Sequence, residues 1–496
     1  MSTLTLGIIV IIYMFVIAWL GYLGYRQTKN ASDYLLGGRK VNPIIMALSY
    51  GATFISASAI VGFGGVAATF GMGIQWLCLL NMFMGVVVAF IFFGRRTRKL
   101  GEEHNARTFP QLLGLHYKSR SIQIFIASII FIGMPLYAAV VMKGGAVFIE
   151  QMFHIDLHLA LLIFTLIVAA YVITGGIKGV LYTDALQAVI MFACMLFLLF
   201  WFYHIMDMGF IEANQKLTDI APMVPERFKA LGHQGWTAMP ISGSPQWYTL
   251  VTSLILGVGI GCLAQPQLVV RFMMVSTKQL NRGVLIGCVF LIVTVGAIYH
   301  VGALSNLFFL KTEGVVASEA VKDMDKIIPL FINKAMPEWF GAVFMLCILS
   351  ASMSTLSAQF HTMGAAFGAD AFPKLGRSKN PNSTLGVRIG VLCSILVSYV
   401  ICYTLSASII ARGTALFMGI CAATFLPTYF CSLYWKGATR QGALASLWVG
   451  GLASLFAMLF LHKAEAAPVG LCKALFGQDV LIDVYPWHAI DPILFA

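Results

Sequence analysis

The chain has 496 residues, of which 59% are hydrophobic and only 10% charged, with a formal net charge of +12 and a mean hydropathy of +0.86. Its 32 basic and 20 acidic side chains are too few to cover the surface of a soluble fold of this size. That excludes a soluble enzyme, a disordered chain and a coiled coil, and leaves an all-α polytopic membrane protein.

Twelve apolar runs reach the ~20 residues that a helix needs to cross the hydrocarbon core. They cover roughly 5–25, 43–71, 74–94, 121–148, 157–175, 179–205, 247–270, 283–308, 338–366, 384–407, 410–434 and 441–462. All are expected to be helices, because an open sheet edge in lipid leaves backbone groups without partners. The first run follows Met1-Ser2-Thr3 with no basic stretch before it and no small-residue cleavage site, so it reads as a retained helix rather than a signal peptide. The basic residues sit in short clusters between the runs, which points to membrane topology rather than nucleic-acid binding. With the N-terminus outside, inner segments hold 21 Lys and Arg, among them Lys29, Lys40, Arg271, Lys374, Arg377 and Lys379, and outer segments hold 10. This bias sets the expected orientation in a cytoplasmic membrane. Beyond Lys463 the chain is too mixed to span until Ile490–Ala496, so 485–496 is read as the start of a thirteenth helix, cut short or ending at the interface.

Interruptions inside long apolar runs are the best pointer to a transport site. Ala47–Ser58 holds Ser49, Gly51, Thr53, Ser56 and Ser58 in mid-span. Unwinding there frees carbonyl oxygens for a cation, and close helix packing by small residues is the competing explanation. Gly257-Val258-Gly259-Ile260-Gly261-Cys262, followed by Gln265-Pro266-Gln267, marks a second weak point. Ser350-Ala351-Ser352-Met353-Ser354-Thr355-Leu356-Ser357 places five hydroxyls in eight residues. These either bond back to their own helix or offer neutral oxygens to a hard cation such as Na⁺. Lys143 is the one Lys or Arg inside a run away from its first residues, since Arg388 and Arg412 lie at the starts of theirs. Lys143 either snorkels outward or serves a function, with a carboxylate solute or Glu150 as its partner.

No hydrolase, metalloprotease or nucleotide-loop motif occurs, so no enzyme is expected. The ten cysteines lie nearly all in apolar runs without a CxxC pair, and read as small buried hydrophobes. Of the scattered histidines, His361 alone follows the hydroxyl-rich stretch closely.

Asp33-Tyr34-Leu35-Leu36-Gly37-Gly38-Arg39, running on to Ala47-Leu48-Ser49 and Gly51-Ala52, strongly resembles the opening of the sodium/solute symporter family. Gly175-Gly176 with Thr183-Asp184-Ala185-Leu186-Gln187, Gln265-Pro266 with Arg271-Phe272, and Met353–Ser357 are similar to three further family motifs, in the same order. The resemblance spans about residues 5–460 and implies a LeuT-type fold. One extra N-terminal helix (5–25) would precede two inverted five-helix repeats (43–205 and 247–434), with a C-terminal helix at 441–462.

The resemblance also implies a sodium site made of the carbonyls of Ala52, Ile55 and Ala351 and the hydroxyls of Ser354 and Thr355. Asp184 falls on an acid near the inward sodium exit. The implied solute pocket includes Ser56, Ala57, Tyr137, Val258 and Cys262, with Lys143 as a further candidate. Proline carriers have an aspartate where Phe54 stands and aromatic residues where Val258 and Cys262 stand, which points away from proline. The implied function is sodium-coupled import of a small monocarboxylate or amino acid, with Na⁺ as coupling ion, the bilayer as surroundings and the monomer as working unit. Proton coupling through Asp184 or His361, and a membrane sensor that binds without transport, are the alternatives.

Overall fold

Long apolar runs become helices because in lipid each backbone N–H must find its carbonyl within the same segment. The computed structural model describes residues 3–28, 31–39, 41–372, 384–406 and 408–495, so Lys29, Lys40, Lys374, Arg377 and Lys379 lie outside the described residues. We label the principal helices α1 (Thr3–Arg26), α2 (Pro43–Phe54), α3 (Phe63–Phe70), α4 (Met72–Glu103), α5 (Arg120–Phe153), α6 (Leu157–Met206), α7 (Pro245–Ala264), α8 (Pro266–Phe272), α9 (Gly283–Glu313), α10 (Met324–Ala335), α11 (Glu338–Ala371), α12 (Leu385–Thr404), α13 (Ile410–Tyr434) and α14 (Arg440–Leu461).

Among the described residues, ten helices are long and apolar enough to cross a membrane, or eleven if the bent pair around 55–57 counts as one span. The remaining run, Leu157–Ala170, is apolar but short. No loop separates it from the next run, since the backbone stays helical from Leu157 to Met206. Near its start His158 lines a cavity with Asp323 and Lys326, in its middle Lys178 reaches Asp33 at 3.0 Å, and near its end Tyr203 packs against Phe210 in the long loop after α6.

The C-terminal segment corrects an expectation. Of the segment expected to open a thirteenth helix, residues 485–495 do not form one. They form two short turns, Trp487–Ala489 and Pro492–Leu494, and Ile493 rests against α13 at Gly419. Two prolines, Pro486 and Pro492, lack the N–H that a continuing helix requires.

Glycine governs how closely the helices approach. A Cβ on Gly368 of α11 would lie 2.2 Å from the Gly386 backbone of α12, and one on Gly364 would lie 2.6 Å from the Val387 carbonyl. Gly390 meets Gly364 in return. Two glycine pairs at four-residue spacing therefore face each other across the α11–α12 contact, a small-residue interface of the kind lipid favours. α1 docks similarly, with Gly24 against Gly179 of α6, and Tyr13 shares its hydroxyl with Ser350 (3.0 Å) and Gln187 (3.1 Å).

Candidate functional site

The first broken helix lies where the sequence places it. Asn42 caps α2 through its side chain, and Pro43 sits in the first turn, where its missing N–H costs nothing. α2 ends at Phe54, Ile55 is extended (φ −96°, ψ 110°), and a wide turn over Ser58–Gly62 leads into α3 at an angle of 53°. The second break differs slightly from expectation. The glycine-rich stretch around 257–262 stays helical, and the chain extends at Gln265 (φ −65°, ψ 115°) before α8. The cause is Pro266, which disfavours the helical region for the residue before it and starts the next helix.

The expected cation ligands come together. Ser354 Oγ donates to the Ala52 carbonyl at 2.8 Å and to Ala351 O at 3.2 Å. Thr355 Oγ1 donates to Thr53 O at 3.0 Å and to Ile55 O at 3.4 Å. Thus the hydroxyl-rich face of α11 reaches the carbonyls that the break in α2 frees, about 300 residues away in sequence. All of these residues are buried. Five neutral oxygens in one place suit a small hard cation, because they replace hydration without burying a full negative charge. The hydroxyls of Ser352 and Ser357 instead bond back to Ile348 and Ser354 of their own helix. Back-bonding alone thus describes Ser352 and Ser357, Ser354 bonds both to its own helix and to α2, and Thr355 faces the α2 carbonyls alone.

Asp184 lies immediately beside this turn, and its partner is one that the sequence reading missed. Asp184 Oδ2 accepts from Ser49 Oγ at 2.6 Å, Thr53 Oγ1 at 3.3 Å and Arg271 Nη2 at 3.0 Å. Arg271 also donates to the hydroxyls of Ser49 and Thr53. Both members of this ion pair are buried, at 0% and 1% exposure. Arg271 is therefore no inner-loop charge as the topology count treated it. It sits on α8 inside the fold and ties α2, α6 and α8 together. Its place in the Gln-Pro-x-x-x-x-Arg stretch was the signal that could have found it, since the break makes α8 re-enter the core.

The expected solute residues divide. The Tyr137 hydroxyl lies near Ser56, and the Tyr137 ring stacks on Phe417 of α13 at 5.9 Å. Ala57 packs on Gly144 of α5, where an added Cβ would sit 3.1 Å away. Val258 is buried beside the Gly261–Met418 contact between α7 and α13. Cys262 Sγ bonds back to Gly259 O at 3.0 Å, and it meets the Phe54 ring over Gly85 of α4. Ser56, Ala57 and Tyr137 thus lie at the first break, and Val258 and Cys262 on the last helical turns before the second.

Lys143 does not join them. Its Nζ donates to Leu405 O at 3.1 Å and to the Ser406 carbonyl, at the end of α12. Glu150, the other partner considered for it, pairs with Lys326 at 3.0 Å. Helical geometry separates Lys143 from Tyr137, because six residues turn the helix by about 120° from a common face. His361 also has a local role. Its Nε2 meets the Tyr34 carbonyl at 3.1 Å and its ring packs on Tyr34 at 5.4 Å.

A sequence profile of the sodium:solute symporter family matches residues 34–450. The high-affinity proline transporter PutP of Bacillus subtilis (strain 168) is 27% identical over 439 residues, covering 87% of each chain. A sodium/proline symporter of Staphylococcus aureus is 26% identical over 499 residues, covering 98% of this chain and 91% of the relative. Among solved structures, a Na⁺-coupled sialic acid symporter in a substrate-bound outward-open state superposes with a TM-score of 0.74 at 18% identity, over 96% of this chain and 92% of that one. A nucleobase-cation-symport-1 family transporter follows with 0.51 at 13% identity, over 86% and 94%. These likenesses establish the LeuT-type fold. The family profile covers far more than half of the chain, and with the broken helices it makes this membrane protein a member of the sodium:solute symporter family, a sodium-coupled carrier of a small solute and not an enzyme.

Proposed function

We propose that the coupling sodium binds to the carbonyls of Ala52, Ile55 and Ala351 and the hydroxyls of Ser354 and Thr355. The observation that carries this is the approach of the α11 hydroxyls to the carbonyls of the α2 break, at 2.8 Å for Ser354 to Ala52 and 3.4 Å for Thr355 to Ile55. With sodium present each hydroxyl turns its lone pair to the ion, and the same oxygens become ligands. The two breaks then correspond to the first helices of two inverted repeats, 43–205 and 247–434, with 5–25 and 441–462 outside them. Asp184 lies on the inner side of the site, where sodium leaves.

The solute binds between the breaks, against Ser56, Ala57, Tyr137, Val258 and Cys262. The polar handles are few and neutral, the neighbouring Phe54 is apolar, and a monocarboxylate or a small amino acid fits that chemistry. The relatives named as proline carriers make proline one of the compounds to try. The N-terminus faces outward by the lysine and arginine bias, so the long loops after α6 and α9 lie outside and the carrier imports. A single copy of the chain holds every group in this scheme.

Sodium binding ties α2 to α11 through the ion and raises affinity for the solute. By linkage the solute raises affinity for sodium by the same factor. Removing one oxygen ligand tests the assignment. Thr355→Ala should raise the sodium concentration for half-maximal uptake in proteoliposomes about tenfold, the equivalent of ~1.4 kcal/mol. Solute affinity at saturating sodium should change far less. An unchanged sodium dependence would remove Thr355 from the site. Uptake driven by a pH gradient alone, with no response to sodium, would refute sodium binding here altogether.

A further inference from the structure

Lys143 is buried within α5 and serves neither sodium nor solute in the geometry above. Its ammonium meets the carbonyls of Leu405 and Ser406, just past the last residue of α12. A helix leaves its final carbonyls unpaired and its C-terminus partly negative, so a cation is favourable there. Two residues further on the charges reverse. Asp323 Oδ1 accepts from the Ser408 amide at 3.1 Å and the Ser408 hydroxyl at 2.8 Å, and the Met324 amide donates to Ser408 Oγ at 3.1 Å. Asp325 Oδ2 accepts from the Ile410 amide at 3.4 Å. α13 begins at Ile410 with no side-chain cap of its own, so Asp325 supplies an acceptor and a negative charge at its positive end. The short α12–α13 connection is thus clamped by a cation on one side and two carboxylates on the other.

The same carboxylates begin α10, and α10 leans on the first broken helix. A Cβ on Gly65 of α3 would lie 2.1 Å from the Met324 carbonyl, and one on Gly64 would lie 2.8 Å from Ile328. α3 in turn touches the start of α13, since a Cβ on Gly62 would lie 2.8 Å from Ile410. Four helices (α3, α5, α10 and α13) therefore meet at one polar knot, on the long-loop side of the break at 55–57.

We propose that Lys143, Asp323 and Asp325 are positioning residues for transport. They latch the first turn of α13 against α10 and α3, and the latch opens in every transport cycle to admit sodium and solute. That the latch faces the outside rests on the orientation proposed above; its existence does not.

The test joins the two sides of the knot. In Asp323→Cys/Ser408→Cys, a short bis-methanethiosulfonate reagent should cross-link α10 to the α12–α13 connection and reduce uptake at least tenfold below the same variant before treatment. A reductant should restore it, and the wild-type chain and each variant with only one of the two added cysteines should keep their uptake after treatment. Undiminished uptake by cross-linked protein would overturn the latch, as would failure of the two cysteines to cross-link at all. Reversal by an impermeant reductant added outside upholds both latch and orientation. Reversal by a permeant reductant alone upholds the latch and refutes the orientation.

A second measurement covers the case in which that variant does not fold. Lys143→Gln weakens the closed state, so it should lower the sodium concentration for half-maximal uptake several-fold and reduce the maximal rate, and Lys143→Arg should recover most of both. A raised solute half-saturation with sodium dependence unchanged would instead make Lys143 a solute ligand and overturn the proposal.

Discussion

Arg271→Gln is expected to abolish uptake and to destabilise the protein by about 3–5 kcal/mol, the usual consequence of removing one partner from a buried ion pair. Asp184 and Arg271 are 3.0 Å apart and essentially without water, so the substitution strands a carboxylate in the membrane interior. Asp184→Asn should cost a similar amount for the opposite reason, a stranded guanidinium. The double variant Asp184→Asn/Arg271→Gln removes both charges and should recover much of the stability, read as the thermal unfolding midpoint in detergent. It should not recover sodium-coupled uptake. Thr53 explains the difference, because its hydroxyl joins the Asp184–Arg271 cluster and its carbonyl accepts from Thr355 at 3.0 Å. The ion pair therefore steadies the same turn whose carbonyls face α11. Losses in the double variant equal to the sum of the single losses would show that the two charges act independently.

The second large effect is steric. Gly368→Leu should destabilise the protein strongly, beyond the ~1–3 kcal/mol typical of overpacking. The atoms in the way are the Gly386 backbone at 2.2–2.4 Å, which cannot swing aside as a side chain can. Separating α11 from α12 also moves Ser354 and Thr355, which α11 carries, so sodium affinity should fall together with stability. Gly314→Ala is the comparison, since an added Cβ there has nothing within 4 Å and only its positive φ of 74° opposes the change. The thermal midpoint should drop much further for Gly368→Leu than for Gly314→Ala, and equal drops would show that the α11–α12 contact tolerates a side chain.

Much of the site was legible because lipid imposes simple rules on a sequence. A run of twenty apolar residues has few alternatives to a helix, so the ten long spans and the bent pair could be placed from hydropathy alone. Hydroxyls and glycines in mid-membrane are conspicuous against that background, which is why 51–57 and 350–357 stood out before any contact was known. Gln265-Pro266 stood out as well, although the glycines drew the expected break one turn too early. Proline acts on its neighbour's backbone directly, whereas glycine merely permits a bend.

Pairing is what the sequence left undetermined. Arg271 looked like an inner-loop charge because it ends an apolar run, and only the re-entry of α8 behind the break brings it to Asp184. Lys143 looked like a solute ligand because a lone cation in a span is costly, and only the arrival of the α12–α13 connection provides its carbonyl partners. Glycine pairs such as Gly364 and Gly368 carried no mark either, since closeness to a second helix is a property of two segments and not of one. Residue 485 onward looked like a helix start because its last residues are apolar, and packing against α13 decided otherwise. Hydrophobic length and local backbone chemistry are one-dimensional, so the amino-acid order fixes them: which segments cross, where they break, and which oxygens are set free. Which oxygen meets which hydroxyl, and which charge finds its counter-charge, depends on side chains hundreds of residues apart, and that was decided only when the helices packed.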